Sequence, residues 1–264
     1  MIIVILFVLG LCLGSFVNAL TWRIHQKKDW VKARSQCTHC GHTLDSLDLI
    51  PVISWLALRG KCRYCRKQIS IQYPAVELAA AITFVVSYIY WPSNLENSSQ
   101  IALLVSWLAS VIGLLALLIY DFRWTLLPNK LIYPTLVAAA AGNVMYLFFS
   151  DNKISFITNW ILSIAVASGV FFVLFMISNG KWIGYGDVRL GLITGTLLHS
   201  PRLSFLMIFL ASIMGTLFVA PSLAKKSMTL GAKLPFGPFL IVSTVICLLF
   251  GNSIFNWYLG LFSI

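Results

Sequence analysis

Residues 101–120, IALLVSWLASVIGLLALLIY, carry no charge and end against Asp121. Coiled as an α-helix, such a run reaches about 30 Å, the thickness of a bilayer's hydrocarbon core. The rest of the chain is consistent with that reading. Of its 264 residues 59% are hydrophobic and only 10% charged, and its mean hydropathy is +0.88. An ordinary soluble domain carries about a quarter charged residues, so that class is excluded. Working outward, comparable apolar runs occupy 2–20, 75–91, 131–149, 156–177, 188–198, 203–220 and 235–250. Only helices and closed barrels satisfy their backbone inside lipid. The expected fold is an all-α polytopic membrane protein with about eight transmembrane helices. The run at 188–198 is short; it has to begin before Asp187 or end in buried loop structure. The apolar, aromatic tail 252–264 is expected to lie in the membrane interface. The first run has no basic residue ahead of it, unlike a secretory signal, and is expected to stay in the protein.

The formal net charge of +11 raises nucleic acid as a partner, but its distribution argues against one. All but two of the 19 Lys and Arg fall in the alternate connections 21–74, 121–130, 178–189 and 221–233; Lys153 and Arg202 are the exceptions. Under the positive-inside rule those connections face the cytoplasm and both termini face out. The charge is therefore a topology signal, with some attraction to anionic membrane lipid. It also places Asp121 and Asp187 on one side of the membrane.

Three parts are expected along the chain: a first transmembrane helix at 1–20, a polar cytoplasmic domain at 21–74 and a helical bundle at 75–264. No low-complexity tract or convincing internal repeat is evident. The polar domain carries Cys37-Thr-His-Cys40 and Cys62-Arg-Tyr-Cys65. Two CxxC pairs at this separation suit a structural zinc ion held by Cys37, Cys40, Cys62 and Cys65. Disulfide or redox chemistry is the weaker reading on the reducing side of a membrane. Gly41 fits the turn of a zinc knuckle. Four thiolates close a tetrahedron, so such a metal stabilises the domain and leaves no open position for catalysis.

A carboxylate in a membrane segment is costly, and its presence is by default a functional hypothesis. The chain has eight acidic residues in all. Asp121 and Asp187 stand at the edges of apolar runs, the latter in Gly184-Tyr-Gly-Asp187. Brought together, two such groups share a proton and divide the roles of general base and general acid. Gly180, Gly184 and Gly186 suggest non-helical backbone ahead of Asp187, tolerated at membrane depth only when buried or beside water. Gly191 and Gly195 follow Asp187 on one helix face and favour close packing; Gly10 and Gly14 form a similar pair with no acid nearby in the sequence. Glu77, expected in the first turn of the second span, also complements a helix dipole. Asp29, Asp45 and Asp48 read as solvated loop residues. Neither HExxH nor GxSxG occurs, and no histidine has an evident nucleophile partner.

In chain order, these motifs resemble the type IV prepilin peptidases, the bifunctional leader peptidases and N-methyltransferases of the GxGD aspartyl protease group. The resemblance is carried by Gly14-Ser-Phe-Val-Asn18 with Arg23, and by Leu49-Ile-Pro-Val-Ile-Ser-Trp55. It continues through Arg59-Gly-Lys-Cys62-Arg63, Tyr73-Pro-Ala-Val-Glu77, Asp121 with Pro128, Gly184-Tyr-Gly-Asp187 and Pro235-Phe-Gly-Pro238. It implies cleavage of a basic leader from prepilins or pseudopilins after a glycine, at the cytoplasmic face of the bacterial inner membrane. Methylation of the new N-terminal residue, usually phenylalanine, by S-adenosylmethionine would follow. It implies Asp121 and Asp187 as the proteolytic pair, and Glu77 as a contributor to the methylation site. Pilus and type II secretion systems are the implied settings.

Thr38, Asn129 and Arg189 depart from the family's usual proline, aspartate and lysine without removing a proposed catalytic group. No GxGxxG loop marks a methyl-donor pocket. Proteolysis without methyl transfer is one alternative, and an ion-coupled transporter or a non-catalytic assembly factor are others. Pro235-Phe-Gly-Pro238 reads either as a substrate-binding strand or as a helix start.

Overall fold

The computed structural model describes residues 1–150, 152–224 and 235–261, with 222–224 described by backbone alone. The basic stretch 225–233, which entered the topology reading, and tail residues 262–264 lie outside the described residues. Among the described residues the chain forms helices and turns, plus two isolated β-bridges, Gln36 with Thr43 and Lys61 with Gln68. It divides into two compact units, Met1–Ile89 and Tyr90–Ile264.

The first unit contains α1 (Ile2–His25), a long polar loop with a 3₁₀ turn (Ser46–Leu49) and the short α2 (Ile53–Ala57), and α3 (Gln72–Ile89). Residues 75–89, grouped with the later helices on sequence alone, pack along α1. The reason is the pair Gly10 and Gly14. A Cβ on Gly10 would stand 2.5 Å from Ala81 Cα, and one on Gly14 2.6 Å from Glu77 Cα. Helix backbones approach this closely only across glycine, which is how apolar helices adhere in lipid. The pair that showed no acid nearby in the sequence therefore has one beside it in space.

The second unit contains α4 (Ser98–Trp124), α5 (Asn129–Phe149), α6 (Lys153–Ser178), α7 (Tyr185–Leu198), α8 (Pro201–Ala224) and α9 (Gly237–Gly260). Across the described residues, seven helices are long and apolar enough to cross a membrane: α1, α3, α4, α5, α6, α8 and α9. The helix α9 continues to Gly260, so the tail through that residue is helical and continuous with the last span.

With 14 residues, α7 is the exception. At 1.5 Å per residue it reaches about 21 Å, short of the roughly 30 Å of a hydrocarbon core. Its residues 193–198 are all buried. A helix end leaves its last carbonyls without intrahelical donors, and side chains of neighbouring helices supply two of them. Ser163 Oγ donates to Gly195 O at 2.8 Å, and Asn143 Nδ2 donates to Thr196 O at 2.8 Å. The Asn143 side chain also hydrogen-bonds His199 Nε2 through its oxygen. His199 closes α7 in the left-handed conformation, at φ 50°. A cavity of about 250 Å³ opens at this end, lined in part by Trp91, Gln100, Tyr146, Phe156, His199 and Asn252.

The flank of α7 is seated on α6 through glycine. A Cβ at Gly191 would lie 2.7 Å from Ala167 O, and one at Gly195 2.7 Å from Ile164 Cα. Gly191→Val therefore forces α6 and α7 apart, at a cost of about 1–3 kcal/mol or more. The expected outcome is a lower thermal midpoint in detergent and less monodisperse protein on size exclusion. Gly169→Ala, on α6 where a Cβ meets nothing within 4 Å, is expected to leave both unchanged.

Candidate active site and metal centre

Asp121, just past the apolar run, lies inside α4, one turn before its end. The helix continues until Thr125 turns left-handed at φ 50°, with the Thr125 N–H donating to Asp121 O at 2.8 Å. The Asp121 side chain is buried, with 5% of the residue exposed. Its Oδ2 accepts the backbone N–H of Gly237 at 3.1 Å. A Cβ on Gly237 would come within 2.6 Å of that same oxygen, so the position admits the carboxylate only as glycine. Pro235-Phe-Gly-Pro238 thus begins α9, with Pro238 in its first turn, and also delivers a donor to Asp121. Sequence reasoning left the motif's role open; its proline–glycine composition was the available signal.

Asp187 occupies the first turn of α7, where a carboxylate complements the exposed N–H groups of a helix start. It is half-buried and reaches back to the N–H of Gly184, the residue preceding the helix. Gly186 lets the chain pass Leu127, whose Cβ would be 3.1 Å from a Cβ at that position. Asp187 lies within reach of the charge on Asp121. Beside them, Arg189 lies over the Tyr185 ring at 4.5 Å and hydrogen-bonds Asn129. The two departures at 129 and 189 therefore contact each other.

In the first unit, Cys37, Cys40, Cys62 and Cys65 converge, their Sγ atoms all within 4.8 Å of one another. Four thiolates about 2.3 Å from a tetrahedral zinc would be about 3.8 Å apart; Cys37 and Cys65 are at 3.9 Å. The donor set fits the ion. Its framework is two copies of one turn, offset by 25 positions. Cys37 N donates to His42 O at 2.9 Å and Gly41 N to Cys37 O at 3.0 Å; Cys62 N donates to Lys67 O at 2.9 Å and Arg66 N to Cys62 O at 3.0 Å. Gly41 and Arg66 hold the matching left-handed positions, at φ 70° and 59°. This local duplication went unseen in the sequence because, apart from the cysteines, the two turns share little.

Asp48 is more than a solvated loop residue. Arg63 Nε donates to its Oδ1 at 2.7 Å, and Tyr64 Oη to its Oδ2 at 3.1 Å. Burial pushes the Asp48 carboxyl up, but these donors and the Arg63 charge outweigh it and hold the group below the usual carboxylate range. The second cysteine turn is thereby braced against the 3₁₀ turn.

Glu77 lies in the second turn of α3 rather than the first, because the helix starts at Gln72. Its Oε2 accepts the Val52 N–H at 2.7 Å, and Ser15 lies beside the same carboxyl. Nearby, Asn18 Nδ2 donates to Tyr73 O at 3.1 Å. Arg23 Nη1 donates to Trp30 O at 2.9 Å. The motif 14–18 with Arg23 thus ties α1 to the start of α3 and to the loop. Val52 and Ser15 are contacts of Glu77 that sequence reasoning missed.

Residues 8–91 match the model of the bacterial peptidase A24 N-terminal domain, and residues 108–220 match that of the type IV leader peptidase family. The prepilin leader peptidase/N-methyltransferase of Stutzerimonas stutzeri is 31% identical over 281 residues, covering 96% of this chain and 92% of the relative. The protein of that name in Pseudomonas aeruginosa is 30% identical, with 95% and 91% covered, and that of Bacillus subtilis 30%, with 97% of each covered. No solved structure matches. The chain is a multi-pass membrane protein of the type IV leader peptidase family.

Replacing Cys37 or Cys62 by serine removes a quarter of the metal's donors, and a structural metal contributes directly to folding. The purified variants should lose zinc by elemental analysis and gain protease sensitivity within 26–71. Unchanged zinc content would rule out the four-cysteine site.

Proposed function

We propose that the chain cleaves the basic leader of type IV prepilins or pseudopilins through Asp121 and Asp187, and then methylates the new N-terminus. The observation that supports the proteolytic half is that Asp187, in the first turn of α7, lies within reach of the charge on Asp121, which is itself held against Gly237. One carboxylate, ionised, takes a proton from water as the water oxygen attacks the scissile carbonyl carbon. The other, protonated, donates to the carbonyl oxygen. Collapse breaks the C–N bond, and a proton passes to the leaving amine. The two titrate as a pair, so the roles belong to the dyad. The family membership supports this chemistry over an ion-coupled transporter.

Zinc at Cys37, Cys40, Cys62 and Cys65 would hold the loop and take no part in bond breaking. Methyl transfer is supported by the names of the relatives. The donor of that class, S-adenosylmethionine, supplies an electrophilic methyl group when bound. Glu77 is the residue we assign to that site; its Oε2 holds the Val52 N–H and its other oxygen has acceptor capacity to spare. Glu77 also fixes the segment 49–55 through Val52, and we derive no methyl-transfer step. The positive-inside pattern supports a cytoplasm-facing site in the inner membrane.

Two substitutions separate chemistry from fold. Asp121→Asn and Asp187→Asn each remove a proton-transfer group, and cleavage of a prepilin-like substrate in lipid should fall by at least about 100-fold with unchanged thermal stability. Full activity in either variant would refute the dyad. Gly237→Ala pushes a methyl group against Asp121 Oδ2 and should lower the cleavage rate while leaving substrate binding intact. Product mass with and without S-adenosylmethionine tests the second half: a methyl-sized gain is expected only with the donor.

A further inference from the structure

We propose that Leu49, Ile50, Ile53 and Leu56 form an interfacial anchor, an apolar edge of the loop that lies in the headgroup layer of an anionic leaflet. The proposal rests on the reading above only in taking α1 and α3 to cross the bilayer.

Three observations support it. The first is exposure. Ile53 and Leu56 are 63% and 61% exposed, and Leu49 and Ile50 lie bare just before them. Ile53 and Leu56 are one turn apart on α2 and share a face. Trp55, between them in sequence, turns inward: its Nε1 donates to Ile69 O at 3.1 Å, and its ring covers Gly60. The loop thus has a packed side and an apolar outer side, the division seen in elements that lie on membranes.

The second is depth. The residue leading into α2, Val52, donates its N–H to Glu77, inside α3. Glu77 stands five residues past Gln72, about 7–8 Å along the helix axis. The start of α2 is therefore held level with the entry of a membrane span. Val52 takes φ 60° there, a strained conformation for a β-branched residue and one that persists only where its surroundings impose it. The buried Glu77 carboxylate is what holds it.

The third is charge. Residues 21–74 carry ten Lys and Arg against Asp29, Asp45 and Asp48. A basic surface with an apolar edge complements anionic lipid. It would repel a basic leader peptide, which favours lipid over substrate as the occupant.

The test places photoreactive benzoylphenylalanine at Ile53, Leu56 or, as a control, Lys67 in the full-length protein. Each variant is reconstituted in nanodiscs of phosphatidylglycerol or of phosphatidylcholine, irradiated and read by mass spectrometry. Phospholipid adducts at 53 and 56 are expected to exceed those at 67 several-fold, and to fall in phosphatidylcholine. Adducts of equal yield at the three positions, or none at 53 and 56, overturn the anchor. Capture of an added prepilin-like peptide in place of lipid overturns it in favour of a substrate surface. Glu77→Ala should reduce the adduct at 53 with zinc retained, and Glu77→Gln, which keeps an acceptor oxygen, should preserve it; an unchanged yield in Glu77→Ala refutes the clamp. Cross-linking needs no turnover, so it stands or falls separately from cleavage measured on the same preparation.

Discussion

Inside a bilayer no water is at hand for an unpaired backbone group, and each one left bare costs several kcal/mol, roughly. This constraint shapes the second unit, because α7 is too short to escape it. Its last turns are buried among other helices, while its start is exposed and carries its own acid. At the start, Asp187 takes the N–H of Gly184. At the finish, Ser163 and Asn143 serve the carbonyls of Gly195 and Thr196. The short helix thus has its buried end served by neighbouring side chains and a carboxylate at its first turn, the group we propose for the reaction with water.

Glycine governs how closely the pieces meet. Gly191 and Gly195 seat α7 on α6, and Gly237 brings a backbone donor onto Asp121. In the first unit Gly14 sets α1 against Glu77. Each contact places backbone rather than side chain against its neighbour, and backbone has few ways to move aside. The carboxylates are thus positioned by main chain, which is stiffer than the long polar side chains that hold many soluble active sites. Around the cysteines, two matching turns present their sulfurs to one point, so that neither turn alone can complete a tetrahedron.

Much of this was legible in the sequence. Apolar runs mark spans because lipid filters for them, and the CxxC spacing marks a metal because few other demands produce it. The ends of elements were less legible. The helix α1 runs on through Arg23 and α4 through Arg123, since charged residues continue a helix once it leaves the hydrocarbon. Asn143 and Ser163 are single polar residues within apolar runs; nothing local names the carbonyls they serve. Glu77 read as a dipole-complementing acid because its partners, Ser15 and Val52, lie far off in the chain. The position of Gly237 against Asp121 is equally non-local, joining two motifs more than a hundred residues apart. What the sequence could not display was pairing, and pairing decides which polar residue caps a helix and which faces substrate.

The offset between the two cysteine turns also dictates an order of assembly. As the chain is synthesised, α1 is complete before the first cysteine appears, and no tetrahedral site exists until Cys65 has been added. Metal can therefore close the loop while α3 is still to be made. Val52 has no carboxylate to meet until Glu77 follows and α3 takes its place beside α1. With metal bound as proposed, the loop would be built as a metal-held module before it is drawn down onto the helix pair, and a shortage of metal during synthesis would present α3 with a loop that has no fixed shape to receive.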